Sequence, residues 1–402
     1  MKRIKVLHAS IKAGGGHNAL RDFIYNELEK QPDKFRNIKF DHTVDSIEAF
    51  DTALSKVAPA LYELFFFFAP RTVSDVFFVA TFNLFKQCYK AIKDNNPDII
   101  LSSHFLLTQH FSLAKRLLRS KTIVVDCMPD YGPPSALQNP TLPWFRAEYI
   151  LTFEEWTKNS VIKDLKVPKE KVLLAGRNPS KVYEDTRIKY HNKQAAREQI
   201  KVIMDYFPFS KIDSSKTTVL VTAGATQSGK TEKLLRAIAA EQKTDINLVD
   251  KYQFFVITGR NMKYFEKLVG LSKKYRYWSN IFPFPWVDSD VYALIQYASD
   301  FPILGSIAPA TLNELIESEC GPFIIYRTRA GQEIPHRVFV EEKGLGKFIP
   351  DLKVLVKKLS NGISDDERER FLNKGKAFRN EQARLASGLS ELVYNLYPQE
   401  GD

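Results

Sequence analysis

The chain has 402 residues, more than one compact hydrophobic core usually holds, so two domains are expected. Its cysteines (Cys88, Cys127 and Cys320) are far apart and lack metal-ligand spacing, which argues against disulfides and a structural zinc. The formal net charge of +11 favours an anionic partner, such as a nucleotide, a nucleic acid or an anionic lipid surface. We find no segment like a signal peptide or a membrane-spanning helix, so we expect a cytoplasmic protein.

The N-terminal segment follows a strand, glycine turn, helix pattern. Residues 4–9 (IKVLHA) predict a buried parallel strand, and residues 18–30 predict an amphipathic helix. His17 precedes that helix directly. Because glycine has no side chain, a ligand can approach the backbone closely there. An imidazole beside such a turn is a reasonable general base or hydrogen-bond donor to a phosphate. A tight turn with a capping histidine is the alternative interpretation. The turn contains three consecutive glycines: Gly14, Gly15 and Gly16.

Residues 46–85 are unusually rich in phenylalanine, including four in a row at residues 65–68. Four consecutive phenylalanines cannot all face one side of a helix, so some are expected to be exposed or to cover a groove. One interpretation is a helical core hairpin. The other is an apolar flap at a lipid interface, since basic residues occur throughout region 56–93 and suit anionic headgroups.

Four further strands are predicted before residue 178. In a parallel sheet, ligands bind at the carboxyl ends of the strands. His104 follows one of these predicted strands and Asp126 another, so both are expected near a ligand. Together with a strand at residues 39–44, this region predicts one doubly wound α/β domain over residues 1–178. The four strands are at residues 98–102, 121–125, 148–153 and 171–175.

A second strand, glycine turn, helix pattern begins at residue 217. Residues 217–221 (TTVLV) predict a buried strand, and the segment GATQSGKT after it matches the P-loop pattern, with Lys230 and Thr231 at its end. A P-loop enzyme also needs an acidic residue at the end of a nearby strand to hold Mg²⁺. Asp250 and Asp300 each precede a strand instead. A P-loop NTPase or kinase therefore stays an alternative.

The rest of the chain continues the α/β alternation and predicts a second doubly wound domain over residues 179–364. A helix is predicted at residues 311–318 and a polar loop at residues 327–335. A charged C-terminal helix is predicted within residues 365–402, packing back toward the first domain. The expected fold is therefore α/β with two Rossmann-like domains. The predicted strands are at residues 254–258, 280–285, 300–304 and 323–326.

Four segments follow one another along the chain: AGGGHNAL, VPKEKVLLAGRNPSKVYED, FVITGRNMKYFEKL and TLNELIESECGPFIIYRTRAGQE. They resemble motifs of the monogalactosyldiacylglycerol synthase-like and processive diacylglycerol glucosyltransferases. The resemblance implies a GT-B fold, with the active site in the cleft between two Rossmann-like domains. It further implies that the C-terminal domain binds a UDP-sugar and that the N-terminal domain binds a lipid acceptor at a membrane surface.

The resemblance also implies roles for individual residues. His17 would be the general base, with Asp126 as the competing base. Glu314 would accept hydrogen bonds from the ribose hydroxyls. Transfer would be inverting and would need no metal or other cofactor. The remaining donor contacts implied are Gly224, Ala225 and Thr226 with Lys230 and Arg260 at the diphosphate, Trp286 and Val287 at the uracil, Thr311 beside the phosphates, and Gln332 and Glu333 at the sugar.

The chain departs from the family pattern at two places. The family has a Gly-Gly pair before its T-x-x-E motif, where this chain has Ala308 and Pro309, and proline lacks an N–H that could hold phosphate. The acceptor-side segment around Asp126 also lacks the family's histidine. A GT-B protein that binds nucleotide or lipid without turnover is therefore a third hypothesis. The expected partners are a UDP-sugar, a lipid acceptor and the inner face of an anionic membrane, and not a nucleic acid.

Overall fold

The computed structural model divides the chain into two compact units, each with its own sheet. The first comprises Met1–Asn178, Ala330–Pro335 and Asn380–Asp402, and the second comprises Pro179–Arg329 and His336–Arg379. The acceptor and donor roles expected for the two domains stay predictions. The structure describes residues 3–11, 15–42, 78, 81–132, 140, 142–205, 208–223, 228–328 and 333–397.

The first unit is built on a six-stranded parallel sheet with the strand order β2-β1-β3-β4-β5-β6. Short apolar runs form the strands because both faces of a parallel sheet are covered by helices. The strands are β1 Ile4–Ile11, β2 Phe35–His42, β3 Ile99–Ser102, β4 Ile123–Cys127, β5 Tyr149–Thr152 and β6 Val172–Leu174. The helices up to Asp164 are α1 Gly15–Glu29, α2 Asn83–Asn95, α3 Phe105–Leu117 and α4 Glu155–Asp164.

The second unit repeats this plan with the strand order β12-β11-β10-β7-β8-β9, again parallel throughout. Two helices precede its sheet, α5 Lys181–Lys189 and α6 Lys193–Ile203. The strands are β7 Thr217–Thr222, β8 Tyr252–Gly259, β9 Ile281–Pro285, β10 Phe301–Leu304, β11 Phe323–Ile325 and β12 Gly346–Phe348. The helices that follow β7 are α7 Ser228–Thr244, α8 Asn247–Lys251, α9 Met262–Lys274, α10 Ser289–Ala298, α11 Pro309–Glu317, α12 Glu333–Glu342 and α13 Leu352–Asn361.

The C-terminal residues complete the first unit. Helix α14 (Asp365–Ser387) ends before Gly388, and α15 (Leu389–Tyr394) packs against α1, where the Ser390 hydroxyl donates to the carbonyl of Glu27 at 3.3 Å. Gly176 lies so close to the backbone of Gln382 that any side chain there would clash. The same Gln382 accepts from the Arg177 N–H at 2.8 Å. The C-terminus therefore holds the segment that follows β6.

Several predicted elements differ from those in the structure. A strand was predicted at residues 39–44, whereas the structure has β2 at Phe35–His42. The limits of β2 are set by its pairing with β1, in which Ile4 lies opposite Phe35, because its own mixed sequence does not define them. The loop predicted to reach residue 335 gives way to a helix at Glu333. The single helix expected near the C-terminus is broken at Gly388, and β12 with α13 was not predicted.

Candidate functional site

The first sheet has its topological switch point between β1 and β3. After β1 the chain moves to β2 on one side, whereas β3 lies on the other side of β1. Loops that leave neighbouring strands in opposite directions open a crevice at the carboxyl edge, where ligands of open α/β sheets bind. Helix α1 starts at this edge with Gly15, Gly16 and His17 in its first turn. Its first N–H groups have no partner within the helix and favour an anion.

His17 joins the two loops of this crevice. Its Nδ1 lies 2.5 Å from the carbonyl oxygen of Ser103, which follows β3. A carbonyl oxygen only accepts hydrogen bonds, so Nδ1 carries the proton, and in the neutral ring the lone pair is on Nε2. The backbone thus selects the tautomer in which Nε2 can accept a proton from a bound group. This arrangement fits the role of general base implied for His17.

A second histidine, His104, packs against the first. The two rings lie 4.6 Å apart between centroids, and the His104 Nδ1 caps α3 by accepting from the Leu106 N–H at 3.3 Å. Burial, reinforced by His17, holds the pKa of His104 well below its usual range, so this ring stays neutral. His104 therefore places a fixed, uncharged ring beside His17. The sequence placed His104 near the end of a strand but assigned it no role in the site.

Arg177 is a cation at this site to which the sequence motifs assigned no role. It is 4% exposed, and its Nη2 lies 3.5 Å from the Gly16 carbonyl in the first turn of α1. A Cβ added to Gly16 would meet no described atom within 4 Å, so the backbone there is open to a ligand. A buried guanidinium beside an open helix N-terminus strengthens attraction for an anion. The residue is recognisable in the sequence as the charged residue after β6.

Asp126, the competing base, has different partners from His17. It lies in β4 opposite Ser102, is 3% exposed, and accepts a 2.9 Å hydrogen bond from the hydroxyl of Thr108 on α3. Burial raises the pKa of Asp126 to about 7, and the Thr108 hydrogen bond only partly opposes this. The carboxyl is thus half protonated near neutrality and lies beneath α3.

We expect Asp126→Asn to change stability in a pH-dependent way. Between the ordinary aspartate pKa of 3.8 and about 7, the folded state holds a proton that the unfolded state has lost. Stability therefore falls as the pH rises through this window, by up to about 4 kcal/mol above it. Asparagine cannot ionise, so the variant should be more stable than the wild type at pH 8 and equal to it near pH 4. Urea unfolding at both pH values tests this, and an equal difference at both would contradict it.

The second sheet has its switch point between β7 and β10, because β8 and β9 lie on one side of β7 and β10 to β12 on the other. The Gly305 N–H, after β10, donates to the Thr222 carbonyl at the end of β7 at 2.8 Å. A side chain on Gly305 would clash with the Tyr326 phenol and with Ala223. Glycine therefore lets the two loops of this crevice approach closely.

The P-loop interpretation depends on Thr231, whose hydroxyl would have to reach a metal ion. This side chain is 2% exposed and faces the phenol of Tyr326 in the core beneath α7. Its position is that of a packing residue. Lys230 lies in the first turn of α7, and its side chain is outside the described part of the structure.

Glu314 projects from α11 into a group of hydrogen-bond donors. The Gln296 amide, on α10, donates to Glu314 Oε2 at 3.4 Å. Burial and the Glu314 carboxylate together raise the pKa of Tyr183, whose phenol hydrogen-bonds to that carboxylate. Burial and Glu314 also raise the pKa of Tyr292, which in addition hydrogen-bonds to Thr222 at the end of β7. The carboxylate is therefore held at the carboxyl edge, beside two tyrosines to which the sequence motifs assigned no role.

Arg260 and Trp286 follow the next two strands, β8 and β9. The Arg260 guanidinium lies over the Trp286 ring at 4.7 Å from its centroid, and the indole is 60% exposed. An exposed aromatic ring beside a cation offers a stacking surface for a nucleobase. Val287, the other residue expected at the uracil, is half-buried. The structure thus brings these predicted residues to the same edge as Glu314.

The segment that departs from the family pattern forms the start of α11. Pro309 occupies the first helical position, where an N–H has no intrahelical partner, so the proline removes one donor from the helix end. Thr311, in the same first turn, is half-buried. The buried His336 ring contacts the carbonyl of Ile307 at 3.1 Å and so fixes the loop before this helix.

The two predicted sugar-binding residues and the two glycine turns are only partly described. Glu333 is buried at the start of α12. Five predicted contacts lie outside the described residues: Gly14, Gly224, Ala225, Thr226 and Gln332. Most of the phenylalanine-rich region 56–93 lies outside them as well, up to Phe77.

Two kinds of feature are absent from the described residues. No three of their His, Cys, Asp or Glu side chains group as metal ligands would. None of their helices is long and apolar enough to cross a membrane.

Comparison with known proteins gives a family and a fold. Residues 19–137 match the family model of monogalactosyldiacylglycerol (MGDG) synthase. None of the curated proteins matches the sequence significantly.

Solved structures resemble the whole chain at low sequence identity, which shows the fold alone. A glycosyltransferase from Rickettsia africae ESF-5 is 14% identical with a TM-score of 0.59, covering 100% of both chains. MurG from Acinetobacter baumannii is 12% identical with a TM-score of 0.58, covering 99% of both. The UDP-GlcNAc 2-epimerase from Neisseria meningitidis, bound to UDP-GlcNAc, is 14% identical with a TM-score of 0.60, covering 98% of this chain and 99% of that one.

These neighbours share two Rossmann-like domains, as expected for a GT-B fold. The MGDG synthase match over residues 19–137 supports a glycosyltransferase rather than an epimerase of the same fold. The family match over residues 19–137 and the GT-B fold therefore both support a likeness to the monogalactosyldiacylglycerol synthase-like GT-B glycosyltransferases.

Proposed function

We propose that the protein transfers a hexose from a UDP-sugar to the hydroxyl of a diacylglycerol-like lipid, with inversion and without a metal, on the inner face of a membrane. The observation that carries this proposal is His17, at the switch point of the first sheet. Its Nδ1 donates to the Ser103 carbonyl at 2.5 Å, so the lone pair is on Nε2, where it can accept a proton from an acceptor hydroxyl.

In the proposed reaction, His17 Nε2 removes the proton from the acceptor hydroxyl as its oxygen attacks the anomeric carbon. The bond from that carbon to the UDP oxygen breaks on the opposite face, so the configuration inverts. General base catalysis of this kind contributes about 10²–10⁴-fold. Charge develops on the leaving diphosphate and must be stabilised by cations and backbone N–H groups. Arg260 and Lys230, with the first turn of α7, are the donor-side groups for this role.

The second unit supplies the donor contacts in this proposal. The ribose hydroxyls would donate to Glu314, which Tyr183 and Gln296 hold at the carboxyl edge. The uracil would stack on the exposed Trp286 beside Arg260. The Neisseria epimerase is bound to UDP-GlcNAc, which supports a UDP-sugar for this chain by analogy of fold.

Exposed apolar side chains of the first unit support membrane association. Its large exposed hydrophobic side chains, among the residues described, are 48–64% exposed and lie around the carboxyl end of α3 and the start of α2. They belong to connected elements, because Arg116 Nη2 donates to the Pro143 carbonyl at 3.0 Å and Phe78 stacks on Phe145. We call these side chains the Trp144 patch, which consists of Phe82, Leu117, Leu142 and Trp144.

Basic side chains are exposed on the helices that carry part of the Trp144 patch. Lys86, Lys90 and Lys93 recur along α2 and are exposed, as are Arg116 and Arg119 at the end of α3. Tryptophan at an interface, with lysine and arginine around it, is the combination that binds anionic lipid headgroups. The patch thus extends the membrane role proposed for region 56–93 to residues that the structure describes.

A transfer assay tests the proposal. Purified protein is incubated with radiolabelled UDP-glucose or UDP-galactose and with diacylglycerol in anionic liposomes, in the presence of EDTA. We expect chloroform-soluble label that depends on diacylglycerol. Label that remains in water as a changed nucleotide sugar would instead indicate an epimerase. UDP binding without any product would favour a protein without turnover, and ATP hydrolysis lost in Lys230→Ala would favour the P-loop alternative.

A further inference from the structure

A cavity of about 300 Å³ lies in the first unit, away from the contacts of His17. Described residues of the β4–β5 connection line it, including the short turn at Pro143–Phe145. Residues of α3 and the segment after α4 line it as well.

The inner end of the cavity is polar. Asp126 and Thr108 line it and hydrogen-bond to each other at 2.9 Å. The side walls are rings and aliphatic groups, with Phe105 and Phe145 on one side and Ile150 on the sheet. A ligand with hydroxyl groups would find partners at this end, since a carboxyl near its pKa of about 7 and a hydroxyl can both donate and accept.

The mouth of the cavity is cationic. It is lined by Arg116, Arg146, Lys166 and Lys171, and among the described residues there Glu148 is the one acidic side chain. Glu148 is already bound, since it pairs with Lys115 at 2.9 Å and accepts from the Val124 N–H at 2.8 Å. Within the ranges that the structure describes, neither Lys166 nor Lys171 forms an ion pair. Both ammonium groups are exposed at the mouth, where they are available to pair with an anion.

We propose that this cavity binds a small phosphorylated polyol, with its phosphate at Lys166 and Lys171 and its hydroxyls at Thr108 and Asp126. The volume supports this size, because it equals that of about ten waters at roughly 30 Å³ each. An acyl chain would offer the polar inner end no hydrogen bond beyond the one between Thr108 and Asp126, and it is disfavoured for that reason. Because Phe105 and Thr108 begin α3, directly after His104, an occupant would contact the element that supports the catalytic histidine.

Glucose 6-phosphate is the probe for this site, with full-length protein and no UDP-sugar or lipid present. Isothermal titration calorimetry should show saturable binding that weakens as NaCl is raised, because the lysines are exposed and screened. Glucose should not bind, and inorganic phosphate should bind at least about ten-fold more weakly. If inorganic phosphate binds as tightly as glucose 6-phosphate, the placement of the ligand's hydroxyls at Thr108 and Asp126 is wrong. If glucose 6-phosphate does not bind, the whole site is overturned.

A matched pair of variants locates the binding. Lys166→Ala/Lys171→Ala should lower the affinity for glucose 6-phosphate by about ten-fold or more. Lys163→Ala/Lys169→Ala removes two exposed lysines of the same region that do not line the cavity, and should bind like the wild type. Equal losses in both variants would mean a general charge effect and would overturn the proposal. Ala147→Leu, which fills the cavity from its wall, should abolish binding while the lysines remain.

Discussion

His17→Ala should lower the turnover number of sugar transfer by about 10²–10⁴-fold while changing the dissociation constant of UDP by less than about two-fold. The reason is that His17 lies at the carboxyl edge of the first sheet, whereas the groups proposed to bind UDP belong to the second. Turnover is measured as chloroform-soluble label, and UDP affinity by calorimetry. Similar losses in both quantities would count against His17 as the base.

Two comparisons sharpen this result. His17→Gln keeps a donor for the Ser103 carbonyl but has no basic nitrogen, so it should be as slow as the alanine variant. His191→Ala changes an exposed histidine between α5 and α6 and should leave both quantities unchanged. Added imidazole should restore part of the rate of His17→Ala and none of that of Asp126→Asn. Rescue of the aspartate variant instead would transfer the role of base to Asp126.

Glu314→Ala should weaken UDP binding by about 10–100-fold, because two ribose hydroxyls would lose a charged acceptor worth about 1.5–3 kcal/mol. Glu314→Gln keeps one oxygen for the Tyr183 phenol and should lose about ten-fold. The decisive measurement uses 2′-deoxy-UDP. Wild-type protein should prefer UDP over the deoxy form, and both variants should lose that preference.

The control for Glu314 is Glu266→Ala, on the exposed face of α9, which should bind UDP like the wild type. A preference for UDP over 2′-deoxy-UDP that survives in Glu314→Gln would place the ribose elsewhere.

Because Thr231 is buried against Tyr326, we also expect Thr231→Val to leave UDP binding intact. ATP binding that depends on Thr231 would instead revive the P-loop alternative.

The family resemblance and the GT-B fold follow from features that are local in the sequence. Apolar runs of four to eight residues, glycine turns and helical periodicity are each set by neighbouring residues, so the alternation of strands and helices can be predicted from them. The family match over residues 19–137 and the two six-stranded parallel sheets confirm that part. The edge strand β2 was placed less well, because five of its eight residues are polar and its register depends on the neighbouring strand.

The P-loop pattern shows where local reasoning fails. Eight residues match the motif letter for letter, yet the threonine that should hold a metal is buried. Burial is decided by which elements pack against α7, and Tyr326 lies almost a hundred residues away in sequence. A short motif contains no information about such a partner.

The sequence by itself determined the class of fold, the order of its elements and the two glycine turns at which ligands are expected. Only the tertiary structure decided the partners of the site residues: the Ser103 carbonyl that sets the tautomer of His17, the tyrosines beside Glu314, and Arg177 beside Gly16. Each of these contacts joins residues far apart in the chain, brought together because parallel strands end at one edge. Strand order, which no local pattern specifies, therefore decides the chemistry of the site.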